Sequence, residues 1–168
     1  MSDFSSQLEG KLIEAIMSKL QVAIEARTIP ALETMMMEYT DKDVYSVYAP
    51  KPNSKYAPRR YKKGGLLDRQ SIKTNMQLSG NELIIKIRNE TPCKDALVPN
   101  ETAAAFEKSL YGDSPTPLAA IINYGTTQSS SAPIYAKPRP FMDHFYERLA
   151  ESNKAILKEL VRGAIDYL

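Results

Sequence analysis

Between residues 72 and 88 apolar and polar side chains alternate with a period of two, and no other pattern in the chain restricts its fold so tightly. Ile72, Thr74, Met76 and Leu78 alternate with Lys73, Asn75 and Gln77; Ser79-Gly80-Asn81 supplies a turn; Leu83, Ile85 and Ile87 then alternate with Glu82, Lys86 and Arg88. Successive side chains of a strand point to opposite faces, so the segment predicts an antiparallel hairpin with one dry and one wet face. Ile84 alone interrupts the wet face. The dry face needs a cover, and the flanking sequence supplies helices.

Upstream, Ser6-Gln7-Leu8-Glu9 matches a capping box, and Leu8, Leu12, Ile16, Leu20 and Ile24 recur every four residues, with Ile13 and Met17 widening the stripe. This predicts an amphipathic helix. Pro30 has no N–H to give a helix interior, so a kink or break is expected near Ile29, with Thr28 capping a second helical piece that carries Leu32, Met35 and Met36. The run Met35-Met36-Met37 has neither His nor Cys beside it and reads as adaptable core filler. Val44, Tyr45, Val47 and Tyr48 suggest a short strand, ended by Pro50 and Pro52.

Downstream, residues 118–124 are apolar enough to be buried, as a helical turn or a strand; periodicity does not decide between them. Pro140 suits the first position of a C-terminal helix with Phe141, Phe145, Leu149, Ile156, Leu160, Val161, Ile165 and Leu168 on one face. Glu147, Arg148, Glu151, Lys154, Lys158 and Arg162 form its solvated face. Unbroken to Leu168, that helix would be roughly 40 Å long. The expected architecture is α+β: an antiparallel sheet of about three to five strands, packed by the N-terminal amphipathic helix and the long C-terminal helix. Long loops are expected at residues 50–65, 90–117 and 126–139.

A chain of 168 residues has room for one domain with a sizeable core, and 43% hydrophobic with 25% charged residues is a composition that folds. A net charge of +2 does not mark the whole surface as a polyanion binder, so charged partners have to be sought in local patches. Cys93 is the only cysteine, which excludes an intramolecular disulfide and gives no sign of an oxidising compartment. The N-terminal segment carries early acidic residues in place of a basic region followed by an apolar core, and no apolar run nears the ~18 residues of a membrane span. We expect a soluble protein made in the cytoplasm, with no membrane partner.

Little points to bond-making chemistry. The single histidine, His144, lies beside Asp143, and no nucleophile motif accompanies it, so the plain reading is a surface residue. Cys93 has no CxxC partner and reads as a half-buried thiol. Gly64-Gly65 lacks the spacing of a phosphate-cradling loop. Asp41, Asp43, Asp68 and Asp113 are scattered over turn-like positions. An enzyme would need a concave pocket with perturbed carboxylates around His144 or Asp68. We expect no enzyme, no cofactor and no metal.

The informative segments are instead the long polar ones. Residues 51–63 carry six basic side chains and no acidic one: Lys51, Lys55, Arg59, Arg60, Lys62 and Lys63, interleaved with Tyr56 and Tyr61. Such a loop could neutralise phosphates and stack on exposed bases, or it could meet an acidic surface on a neighbouring subunit. Residues 90–117 contain Pro92, Pro99, Pro115 and Pro117 around a candidate short helix near residues 103–110. Residues 123–142, NYGTTQSSSAPIYAKPRPFM, form a polar arm between a Tyr-Gly-Thr turn and the last helix. Loops longer than ~12–15 residues without structure of their own are usually functional or disordered.

The order of these parts is the N-terminal helix, YKKGGLLDRQSIKT, the hairpin ending ELIIKIRNETP, and INYGT followed by RPFM and a long helix. It resembles the tail-completion or neck proteins of tailed bacteriophages, the head-tail joining and minor tail components. The matching positions are Gly64, Gly65 and Leu66 in the basic loop, Tyr124, Gly125 and Thr126 in the turn, and Arg139, Pro140 and Phe141 at the helix start. The family usually has a shorter stretch between hairpin and Tyr-Gly-Thr, so residues 90–117 depart from its pattern. The resemblance implies a small α+β subunit in a homo-oligomeric ring, a hexamer by family analogy. That ring would sit in the virion at the head-tail interface, assembled in the host cytoplasm against other neck, connector and tail proteins. It also implies no enzyme activity. Residues 126–137 would then be an assembly arm, and residues 51–63 an assembly surface or a loop turned toward packaged DNA. The alternative is a nucleic-acid-binding accessory protein using residues 51–63.

Overall fold

The computed structural model describes residues 2–47, 64–79, 82–92, 117–125, 137–151 and 155–166. The basic segment 51–63, Cys93, Asp113, the candidate helix near 103–110 and residues 126–136 of the arm therefore lie outside the described residues. The chain falls into two units, Met1–Leu32 with Arg148–Leu168, and Glu33–Glu147.

From Ser2 to Tyr45 the backbone is helical throughout: α1 (Ser2–Ala23), a wide π turn (Ile24–Thr28), α2 (Ile29–Thr40) and a second wide turn (Asp41–Tyr45). Two expectations are corrected here: the helix starts one turn before the capping box at Ser6, and the strand expected from Val44 is, as far as Tyr45, a helical turn. Near Ile29, where a kink or break is expected, regular α geometry gives way to the wide turn Ile24–Thr28. At Ile29 the N–H reaches back five residues to the Ile24 carbonyl. That wider closure makes room for Pro30, whose ring would otherwise clash with a carbonyl four residues earlier. Thr28 does not cap a helix: it is buried, and its hydroxyl donates to the Leu160 carbonyl at 3.2 Å. Ile24, Thr28, Leu32, Met36, Thr40 and Val44, all buried, follow at a spacing of four. On an ideal helix such a row drifts about 40° per step, and turns that close five residues back take up the drift.

In the first unit, α5 (Ala155–Ile165) packs on α1 and the first wide turn. Ala23, Ile24, Thr28 and Leu32 are buried, but the N-terminal part of the α1 stripe is not: Leu8, Leu12 and Ile13 are each 61% exposed and Ile16 54%. Of the expected long C-terminal helix, α4 (Phe141–Glu151) and α5 are described, and residues 152–154 between them lie outside the described residues.

In the second unit, β1 (Ile72–Ser79) and β2 (Glu82–Asn89) pair antiparallel, with Thr74 opposite Ile87 and Met76 opposite Ile85 on the dry face. Among the described residues the sheet has two strands, fewer than expected, because two segments that read as candidate strands, at Val44 and at 118–124, are helical. α3 (Leu118–Tyr124) settles the second of these as a helix. Val44, Leu66, Ala119, Ala120, Ile122, Phe141 and Met142 form the core cluster, with Tyr45, Leu118, Tyr124 and Tyr146 packed against it. Phe145 meets Tyr39 and Tyr146 edge-to-face, with centroids 6.5 and 5.2 Å apart. Met36 is fully buried between the half-buried Met35 and Met37, as core filler should be. The class is α+β.

Candidate assembly site

The flanks of the long segments come together in the second unit, joined by hydrogen bonds that run between elements far apart in sequence. The first is the Gly64-Gly65 turn. Gly64, at φ 69°, takes a left-handed conformation that suits glycine. Its N–H donates to Asp68 Oδ2 at 2.6 Å, and Asp68 Oδ1 accepts the Gln70 N–H at 3.0 Å, capping the single 3-10 turn Arg69–Ser71 that leads into β1. Both Asp68 oxygens thus hold the turn.

The far end of the hairpin locks onto the same turn. Asn89 is the next dry-face position after Ile87, so its amide is buried; Nδ2 donates to the Leu66 carbonyl at 2.8 Å. Its Oδ1 accepts the Thr91 N–H at 3.0 Å and the Thr91 hydroxyl at 2.6 Å. That hydroxyl also lies 3.3 Å from the Gly65 carbonyl, but its single proton goes to the nearer oxygen. The Thr91 carbonyl in turn accepts the N–H of Leu118, so the chain leaves toward residue 93 and returns at Pro117 through one bond of 2.8 Å.

The arm is closed at its root in the same way. Arg139 N–H donates to the Ile122 carbonyl at 2.8 Å, and Asn123 Oδ1 accepts the Met142 N–H at 2.8 Å, capping the first turn of α4 from another helix. Tyr124 OH lies 3.4 Å from Asp143 Oδ1, a long contact beside the two short ones. Gly125 ends α3 at φ 75° and ψ −177°, a region open in practice only to glycine, with its N–H on the Ile121 carbonyl.

The structure brings Tyr124, Gly125, Arg139, Pro140 and Phe141 together at the ends of α3 and α4. Phe141 is wholly buried and anchors the root of the arm from the core; Gly125 is buried, while Tyr124, Arg139 and Pro140 are half-buried. Thr126 and the residues Lys51, Lys55, Tyr56, Arg59, Arg60, Tyr61, Lys62 and Lys63 lie outside the described residues. The sequence reading missed Asn89, Thr91 and Asn123. Asn89 carried a signal, a polar residue continuing an apolar period-two row, and Asn123 another, a polar residue closing the apolar run LAAII.

Other charged groups nearby hold elements together. His144 Nδ1 lies 2.9 Å from Asp43 Oδ2 with the imidazole half-exposed, and Arg69 bonds Glu33 at 2.8 Å. The latter pair lines an open groove of about 710 Å³ with Met37, Leu67, Asp68 and Gln70. Tyr146 donates to the Ile87 carbonyl at 2.7 Å, and its pKa is pushed up to about 12, first by burial and then by the charge of Asp143, against a smaller pull from Arg88. Among the described residues, no three His, Cys, Asp or Glu side chains gather to hold a metal, and no helix is long and apolar enough to cross a membrane.

Compared with known proteins, residues 6–165 match the family model described as YomN. No curated protein and no solved structure matches the chain.

Proposed function

Because the chain belongs to the YomN family, a phage-associated family, we propose that it is a structural virion protein of a tailed phage or prophage. It forms a ring, a hexamer by analogy with neck proteins, at the head-tail interface, and it works through protein-protein contacts. The observation that carries this reading is the clasped root of the arm: Ile122 to Arg139 and Asn123 to Met142 hold both ends of residues 126–136 on a packed core. A polar loop fixed at both ends loses less entropy when a neighbouring subunit orders it than a loop hung from mobile ends. Rigid scaffolds that present long loops are how recognition surfaces are commonly built. The partners are then further copies of the chain and the connector and tail proteins on either side, and the place of action is the virion.

The basic composition of residues 51–63 favours a second role within the same ring, contact with DNA passing its centre. Six phosphate-neutralising side chains predict binding that falls steeply with salt. Retention of the purified ring on DNA at low salt and its release at high salt would support that role; retention indifferent to salt would remove it.

The function is tested in particles produced without this protein. The reading expects filled heads and finished tails that fail to join, and joining restored by adding the purified chain. Intact, infectious, DNA-retaining particles would overturn it.

A further inference from the structure

One exposed apolar leucine needs no explanation, but Leu8, Leu12, Ile13 and Ile16 are all more than half exposed on two and a half turns of α1. Along the middle of this face runs a row at spacings of three and four: Glu9, Leu12, Ile16 and Lys19, with both charged side chains exposed. Leu8 and Ala15 flank the row on one side, Ile13 and Leu20 on the other. The row reads the same in both directions apart from the sign of its ends: acid, apolar, apolar, base.

We propose that a second copy of this chain covers the face, with the two α1 helices packed antiparallel about a two-fold axis that passes midway between Leu12 and Ile16. In that register Leu12 packs on the partner copy's Ile16 position, Ile16 on its Leu12 position, and each Glu9 faces a Lys19. A parallel pair would set Glu9 against Glu9 and Lys19 against Lys19, so the charges select the antiparallel arrangement as well as stabilising it. The contact is isologous and closes at two chains. Glu9 and Lys19 are ten residues apart on one helix, about 15 Å, too far to satisfy each other within a chain. On the reading of the chain as a ring subunit between unlike structures, whose symmetry is cyclic, this pair is the form of the unassembled protein and opens as the ring is built.

Sedimentation equilibrium and light scattering on the purified full chain test the pair without any other virion part. The proposal expects a concentration-dependent two-chain species. Glu9→Lys or Lys19→Glu alone should weaken it by about tenfold or more, since like charges then meet at both ends of the seam. The double reversal, Glu9→Lys with Lys19→Glu, should restore it. Both positions are exposed, and unchanged far-ultraviolet circular dichroism checks that each variant folds. Absence of a two-chain species up to about 100 µM, association indifferent to the single reversals, or a double reversal no better than the singles would each overturn the proposal. These outcomes leave the particle test of head-tail joining unaffected, so the two readings fail separately.

Discussion

Asn89 holds three backbone or hydroxyl groups of the second unit from one buried side chain, and its loss cannot be made good by water. Asn89→Ala leaves the Leu66 carbonyl and the Thr91 N–H without partners in the interior. We expect a loss of about 2–4 kcal/mol, read as a lower urea midpoint at unchanged slope. Tyr146 makes a different prediction, in pH. Its hydroxyl is expected to stay protonated in the folded chain up to about 12, against 10.0 in the unfolded one. Its contribution is therefore complete below pH 10.0, falls as the unfolded state alone releases the proton, and is gone by about pH 12. The drop should be on the order of 2 kcal/mol. Tyr146→Phe should flatten that part of the alkaline unfolding profile, at a cost of about 1 kcal/mol near neutrality for the lost bond to Ile87.

At the scale of elements, the hairpin was readable because a strand with one buried face writes a period of two into its sequence, and a slip by one residue would turn every side chain over. The segment at Val44 misled because two β-branched and two aromatic residues say only that a site is half-buried. The stronger signal was the row at spacing four from Ile24 through Val44, which continues the helix, and it was hidden because Pro30 reads as a breaker in sequence. Only the wide turns reconcile the two. The candidate site was legible in part. Tyr-Gly-Thr and Arg-Pro-Phe mark the two ends of the arm, but a bond that closes it joins Asn123 to Met142, 19 residues on, and the bond that ties the hairpin to the glycine turn joins Asn89 to Leu66, 23 residues back; no local pattern encodes such partners. Gly125 is the residue where element and site meet. Gly125→Ala places a Cβ in a backbone region suited to glycine alone, and we expect it to cost about 1–3 kcal/mol in thermal or urea unfolding. The end of α3, and with it the root of the arm, should shift.

At the scale of the whole molecule, the family match from residue 6 to residue 165 spans both units. Each unit has its own use in this account. The second carries the clasped roots of the polar segments, and the first carries an apolar helix face that a second copy can cover. The central claim is that residues 126–136 act on other subunits and not on their own fold. Its most direct test replaces them with a short glycine-serine bridge, which the closure between Ile122 and Arg139 makes possible without strain, and measures the mass of the assemblies and the joining of heads to tails. The account predicts a chain that unfolds at the same urea concentration as the parent but forms no rings and joins no particles. Rings of unchanged mass that join heads to tails as before would contradict it.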